Sequence, residues 1–167
     1  MRPPLLLTGP PAAGKSTTAL ALARSATAAA MIDVDDLRHL VVAGHAAPWE
    51  GGRGRRQQEL GVENACDLAR RFHQNQIEVV LTDFVTPATA AIYRRCLPGV
   101  RLVRLALPLV EARRRARLRP VHLRDQEFED LFAFDATNEL AVDHVVDVAA
   151  LDPDQQADAV RWLWSAG

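Results

Sequence analysis

Eight consecutive residues near the N-terminus constrain this chain more than all the others. Gly9-Pro10-Pro11-Ala12-Ala13-Gly14-Lys15-Ser16 satisfies the pattern G-x-x-x-x-G-K-[ST] in full. Its surroundings are those the pattern requires. Leu5 to Thr8 reads as a buried strand ahead of it, and an Ala/Leu-rich helix follows from about Lys15 to Arg24. Gly9 and Gly14 let the backbone turn tightly and point successive N–H groups inward, making the loop an anion nest. The helix that starts there adds the positive end of its dipole. Lys15 reaches the β- and γ-phosphates of a bound nucleotide, the Ser16 hydroxyl suits Mg²⁺, and Thr17 offers a second hydroxyl toward the α-phosphate. The nine residues Gly9, Pro10, Pro11, Ala12, Ala13, Gly14, Lys15, Ser16 and Thr17 are therefore candidate nucleotide-binding positions.

Composition sharpens the case for Lys15. Lysine and arginine together number 20 among 167 residues, yet Lys15 is the sole lysine, leaving 19 arginines. A compact ammonium kept against that background suits a tight anion cradle, which a planar guanidinium does not fit.

Along the rest of the chain, short apolar runs alternate with amphipathic stretches. Strands are expected at Ala29–Ile32, Ile77–Leu81, Val100–Leu107 and Val142–Val148. Helices are expected near Asp36–Ala43, Arg56–Asn75, Pro87–Cys96, Pro108–Arg119, Asp125–Phe134 and Pro153–Trp164, the last capped by Asp152. In the helix from Arg56, residues Leu60, Ala65, Leu68, Ala69 and Phe72 form the expected buried face, and Trp162 and Trp164 read as helix packing. Strands alternating with helices predict a three-layer α/β fold around a parallel sheet. Neither a repeat nor a plausible linker interrupts the pattern, so residues 1–167 are expected to form one domain.

Three groups of charged residues accompany the loop. Asp33, Asp35 and Asp36 follow the second strand, and in an extended segment Asp33 and Asp35 project the same way. A carboxylate there can hold a magnesium-bound water or accept the proton of an attacking hydroxyl; capping of the next helix is the competing role. Asp83 closes the third strand after Val79-Val80-Leu81, the hydrophobic-run-then-acid form of a metal-orienting aspartate, again with capping as its competitor. Residues 101–124 carry eight arginines against Glu111 alone, whereas residues 125–167 carry eleven acids against Arg161. Arg113 and Arg117 lie four apart, on one face of a helix, and are candidates for stabilising a phosphoryl group in transit. A basic lid over about 113–124, with Arg124 at its far end, is one reading of that charge; a solvated helix face is the other. Trp49, in the Gly-rich stretch from Gly44 to Gly54, is a candidate substrate contact.

Several classes are excluded or disfavoured. No apolar stretch reaches the roughly 20 residues a bilayer crossing needs. Cys66 and Cys96 make no disulfide framework, so a cytoplasmic setting is expected. The five histidines show no metal-ligand spacing. Nucleic acid is not the expected partner, because the net charge is −1 and aromatics are only 5%.

Gly9 to Thr17, Ile32 to Arg38, Val79 to Asp83, the arginines from 113 to 119 and Asp143 to Asp147 together resemble the small P-loop kinases of the nucleoside-monophosphate-kinase superfamily. They are similar in particular to the group of shikimate kinase, gluconate kinase, adenylylsulfate kinase and chloramphenicol phosphotransferase, with zeta-toxin-like kinases nearby. The resemblance implies a five-stranded sheet in the order 2-3-1-4-5, an Arg-rich lid, and a substrate flap over about 36–56. It implies that Asp33 or Asp35 touches the acceptor as base, that Arg38 helps bind it, and that Val148 to Leu151 lies beside the adenine. Asp83-Phe-Val-Thr stands where shikimate kinase carries Gly-Gly, which argues against shikimate. The Asp-Gly-Phe-Pro-Arg of adenylate kinases is absent, which argues against a nucleoside monophosphate. With no second lysine, the Asn-Lys-x-Asp element of small GTPases cannot exist, so ATP is expected rather than GTP.

The expectation is thus an ATP- and Mg²⁺-dependent phosphotransferase acting on a small-molecule hydroxyl, as monomer or homodimer. Lys15, Asp33, Asp35, Arg113 and Arg117 are its catalytic candidates, Asp35, Arg38, Trp49 and Asp83 its substrate contacts, and Ser16 and Asp83 its metal ligands; Arg113 counts also as a nucleotide contact. A polynucleotide end kinase and a non-catalytic nucleotide-binding regulator are the alternatives.

Overall fold

The computed structural model describes residues 1–118 and 125–166. Its strands are β1 (Leu5–Thr8), β2 (Ala29–Asp33), β3 (Glu78–Thr82), β4 (Arg101–Ala106) and β5 (His144–Asp147). They form one sheet in the order β2-β3-β1-β4-β5, every pair parallel, with Leu5 beside Val80 on one side and Arg101 on the other. The order is the one the resemblance implies, and the three layers are those the alternation of strands and helices predicts.

Period-two alternation explains the layering. Leu5 and Leu7 of β1 join Val80, Val103 and Leu105 in a core closed by α1 (Lys15–Ser25), α5 (Leu109–Leu118) and α7 (Pro153–Ser165). Leu6 faces the other way and joins Ile32, Val79, Leu81 and Leu102 under α3 (Gly51–Gln74) and α4 (Pro87–Cys96). Both faces of β1 are covered, so all of Leu5, Leu6 and Leu7 are fully buried. Parallel strands sealed on both sides read as continuous apolar runs, as these do. The two remaining helices are α2 (Val34–Arg38) and α6 (Asp125–Thr137).

Five expectations need correction. The helix predicted over 36–43 is α2, which starts at Val34 and stops at Arg38. The Asp33 carboxylate accepts the Asp35 N–H at 3.2 Å and caps it, so Asp35 lies in a first helical turn and not in an extended segment. The helix predicted from Arg56 begins at Gly51 despite three glycines in its first turn. Tertiary contact overrides their low propensity there: a Cβ on Gly54 would collide with the Ala47 carbonyl, so this glycine lets the flap chain lie against the helix. The buried face of α3 is Gly54, Gly61, Val62, Ala65, Cys66 and Ala69, with Leu60 and Leu68 turned outward, because the small residues alone permit α3 to approach α2 and the sheet. Trp162 is also outward, at 69% exposure, while Trp164 is fully buried and its indole N–H donates to the Pro3 carbonyl at 2.7 Å.

Candidate active site

The carboxyl ends of β1, β2 and β3 deliver the phosphate loop, Asp33 and Asp83 to one edge of the sheet, as expected for a parallel open sheet. The loop leaves β1 at Gly9, whose φ of 137° favours glycine. A Cβ there would also run into the Leu105 carbonyl of β4. Gly14 has φ 88° and caps α1 in the left-handed region. Both glycines of the motif are therefore demanded by backbone geometry. Ala12 adopts φ 62° as well, an uncommon setting for a side chain, which marks the loop as held in shape by its surroundings.

Lys15 folds back over the loop. Its ammonium donates to the Gly9 carbonyl at 2.8 Å and the Pro10 carbonyl at 3.1 Å. Burial pushes its pKa below the ordinary value, against the opposing pull of Asp35, Asp135, Asp83 and Asp33. A cation held on backbone carbonyls and surrounded by acids is set to meet an anion placed in the loop.

The acids are not equivalent, and hydrogen bonds sort them. Asp33 has both oxygens engaged: Oδ1 accepts the Asp35 N–H, and Oδ2 accepts the Ser16 hydroxyl at 3.2 Å. Asp35 pairs with Arg38 at 2.6 Å. Arg38 lies along α3 at Gly61, where a Cβ would come within 2.6 Å of the arginine Cγ. The Arg38 Nε–H is buried with no partner among the described residues. Asp83 is buried at 5% exposure, its Oδ1 accepting the Phe84 N–H and its Oδ2 the Tyr93 hydroxyl, each at 2.8 Å. Burial, aided by the charge of Asp35, pushes its pKa up to about 6; Tyr93, Arg38 and the Phe84 N–H pull the other way.

A cleft of about 820 Å³ runs from the loop across α1 to α7. Leu151, the last residue of the segment expected beside the adenine, lines it together with Asp152 and Pro153. Arg114, Arg115 and Leu118 form the α5 side. The helix presents Arg114 and Arg115 to the cleft, whereas Arg113 points to α6 and pairs with Glu129, and Arg117 is exposed. Helical phase explains the difference: Ala112 is the buried residue of α5, and the arginines two and three positions beyond it flank the cleft. Arg115 donates to the Val148 carbonyl at 2.5 Å and to Glu111 at 3.0 Å, and Arg114 holds Glu111 at 2.7 Å. The two guanidiniums drag the Glu111 carboxyl down to about 2. Of the lid expected over 113–124, residues 113–118 belong to α5, and Arg119, Arg124 and the rest lie outside the described residues.

Trp49, in the flap, is 58% exposed. Gln57 fastens that flap by accepting the Ala46 N–H and donating to the Gly44 carbonyl, each at 2.8 Å. Among the described residues no cluster of three or more His, Cys, Asp or Glu side chains can hold a metal. Mg²⁺ takes one or two carboxylates and completes its shell with phosphates and water. The Ser16 and Asp33 oxygens, 3.2 Å apart, are the pair best placed for it. Asp83, with an oxygen on each of two donors, suits contact through water.

Five contributors escape a reading by motif. Arg104 of β4 clamps Asp135 of α6 at 2.5 Å, placing a further carboxylate in the field of Lys15. An arginine inside the apolar run Leu102-Val103-Arg104-Leu105 was the available signal. Tyr93 and Gly61 sit on helix faces that sequence alone does not orient. Gln156, with no signal of any kind, is buried against the loop and donates to the Ala13 carbonyl at 2.9 Å and the Thr18 hydroxyl at 2.7 Å.

No protein-family model matches the sequence, and no curated protein matches it either. Solved structures do. A sugar kinase from Janibacter sp. HTCC2649 shares 14% identity at a TM-score of 0.74, covering 98% of this chain and 94% of its own. Shikimate kinase from Acinetobacter baumannii in complex with shikimate shares 20% at 0.67, covering 98% and 93%. An APS kinase from Mycobacterium tuberculosis in complex with AMPPNP and APS shares 17% at 0.64, covering 97% and 96%. At these identities the likeness is one of fold, and it runs over nearly the full length of every chain. No helix among the described residues is long and apolar enough to cross a membrane.

Proposed function

We propose that this chain, which has the fold of the P-loop kinases, is an ATP- and Mg²⁺-dependent phosphotransferase that moves the γ-phosphoryl group to a hydroxyl of a small molecule. The observation that carries the reading is the Lys15 ammonium, held 2.8 Å from the Gly9 carbonyl on the glycine-turned loop and in the field of the carboxylates Asp35, Asp83 and Asp33. Loop, cation and acids are what phosphoryl transfer asks of a protein: positions for phosphate oxygens, charge to offset theirs, and a base beside the acceptor. The ligands bound in two neighbours, shikimate in one and APS with AMPPNP in the other, support a small-molecule acceptor and a nucleotide donor.

Roles follow from the partners each side chain already has. Lys15 leaves the loop carbonyls to neutralise the migrating group, and Arg114 and Arg115, rather than Arg113 and Arg117, stand on the nucleotide cleft. Ser16 and Asp33, whose oxygens lie 3.2 Å apart, would hold the magnesium, which would supply positive charge to offset that of the phosphates. Asp35 accepts the proton of the acceptor hydroxyl, its carboxylate oriented by Arg38 at 2.6 Å. Arg38, with an unpartnered buried Nε–H, also contacts the acceptor. Trp49 and the flap close over it.

The test is a γ-phosphate transfer screen across sugars, antibiotics and nucleosides, with Lys15→Ala as the control. Transfer at full rate in that variant refutes the reading. Asp35→Asn separates an enzyme from a nucleotide-binding regulator: turnover should fall by about 10²- to 10⁴-fold with ATP affinity nearly unchanged.

A further inference from the structure

A polar side chain that is 3% exposed, reaches across more than 130 residues of sequence and spends its only donor group on the phosphate loop calls for a reason. Gln156 sits one turn into α7. Its Nε2 donates to the Ala13 carbonyl at 2.9 Å and to the Thr18 hydroxyl at 2.7 Å, both across the α1–α7 contact. The amide lies so close to the loop that a Cβ on Gly14 would come within 2.8 Å of it.

We infer that Gln156 is a positioning residue for nucleotide binding, holding the phosphate loop in its anion-accepting shape before any ligand arrives. Peptide planarity is what lets one bond do this. In a trans peptide the carbonyl and the following N–H point in opposite directions, so anchoring the Ala13 oxygen on α7 aims the Gly14 N–H away from α7. That peptide joins Ala13 to the left-handed Gly14, where the chain changes from loop to helix. Left alone, a loop with Gly9, Ala12 and Gly14 at positive φ has several ways to relax. The second bond, to Thr18, ties the same amide to the first turn of α1, so loop and helix dipole are kept in one register.

The position of Gln156 on α7 adds a second consequence. The cap of that helix, Asp152, and its first residue, Pro153, line the same cleft as Gln156 and the loop. One turn of helix therefore joins that part of the cleft wall to the Ala13–Gly14 peptide. A ligand that seats against one finds the other already placed, which lowers the ordering cost of binding.

This inference rests on the loop being a nucleoside triphosphate site, and calorimetry can tell the two failures apart. Mg-ATP and magnesium tripolyphosphate are titrated at 25 °C into wild type, Q156L, Q156E and T18V, each checked for its melting temperature. Q156L should weaken both ligands about tenfold, the effect of one buried hydrogen bond lost to a charged site's scaffold. T18V, which removes one acceptor and leaves the glutamine, should weaken them by a smaller factor and serves should Q156L fail to fold. Q156E supplies a pH signature: its carboxyl donates to the Ala13 carbonyl only when protonated, so its deficit should shrink from pH 8 to pH 5 relative to wild type. Unchanged ligand affinity in folded Q156L or T18V, with only the melting temperature lowered, means a packing role and overturns the inference, as does a Q156E deficit indifferent to pH. Wild type that binds neither ligand overturns the functional reading and this one with it.

Discussion

Replacing Asp83 by Asn should stabilise the ligand-free chain near neutral pH while damaging its function. The carboxyl stands at the end of β3, 5% exposed, and burial pushes its pKa from the ordinary 3.8 up to about 6. The folded state thus keeps a proton between about pH 4 and pH 6 that the unfolded chain has lost. Because the folded state binds more protons over that window, stability falls as pH rises through it and stays low above pH 6. A rise from 3.8 to about 6 corresponds to about 3 kcal/mol, an order-of-magnitude figure for the penalty of ionised Asp83 at pH 8. Asparagine carries no charge, and its oxygen still accepts the Phe84 N–H. Its amide needs the Tyr93 hydroxyl to turn and accept, which the hydroxyl can do. The expected gain at pH 8 is about 1–3 kcal/mol, or a melting temperature higher by several degrees at about 2–4 °C per kcal/mol for a chain this size. Urea unfolding of both proteins at pH 4.5, 6 and 8 isolates the residue, since other titrations largely cancel in the difference. The gain should shrink toward zero at pH 4.5. An Asp83→Asn chain less stable than wild type at pH 8, or a difference that does not move with pH, refutes the reasoning. Phosphoryl transfer should fall in the same variant, the usual trade when a strained polar group serves a site.

Three further outcomes can be checked. Arg115→Met should raise the Kd for ATP about tenfold by releasing the Val148 carbonyl and the wall of the cleft, while Arg113→Met, which breaks only an exposed pair with Glu129, should leave it within twofold; reversal of that order would move the nucleotide to the other face of α5. Gly61→Ala places a Cβ 2.6 Å from the Arg38 Cγ and should raise the acceptor KM without altering ATP affinity, measured once an acceptor is in hand. Asp33→Asn should shift the magnesium dependence of nucleotide binding upward by about 10- to 100-fold, read by titrating Mg²⁺ at fixed ATP; an unshifted curve would move the metal away from Ser16 and Asp33.

Local chemistry was legible without coordinates wherever one residue type alone meets a backbone demand. Gly9 and Gly14 are at positive φ, Lys15 sits over the loop carbonyls, and the parallel layered sheet follows from apolar runs separated by helices, its strand order being what the resemblance to P-loop kinases implied. The acid cluster was visible as three aspartates after a strand, yet their division of labour was not. Which oxygen caps α2, meets Ser16 or pairs with Arg38 depends on angstrom-scale placement of neighbouring turns. The arginine helix shows the same limit. Its charge was plain, but the choice of Arg114 and Arg115 over Arg113 and Arg117 required the phase set by Ala112 in the core.

By itself, then, the sequence determined the layered parallel sheet and the glycine-turned loop at its edge, because periodicity and the steric freedom of glycine act within a few residues along the chain. Only the tertiary structure decided that Gln156 braces the loop from 143 residues away from Ala13, that Tyr93 holds Asp83, and that Gly61 makes room for Arg38. Contacts between elements depend on the rotation and depth at which helices settle against the sheet. Those are set by how all the buried side chains pack together, and no short segment encodes them.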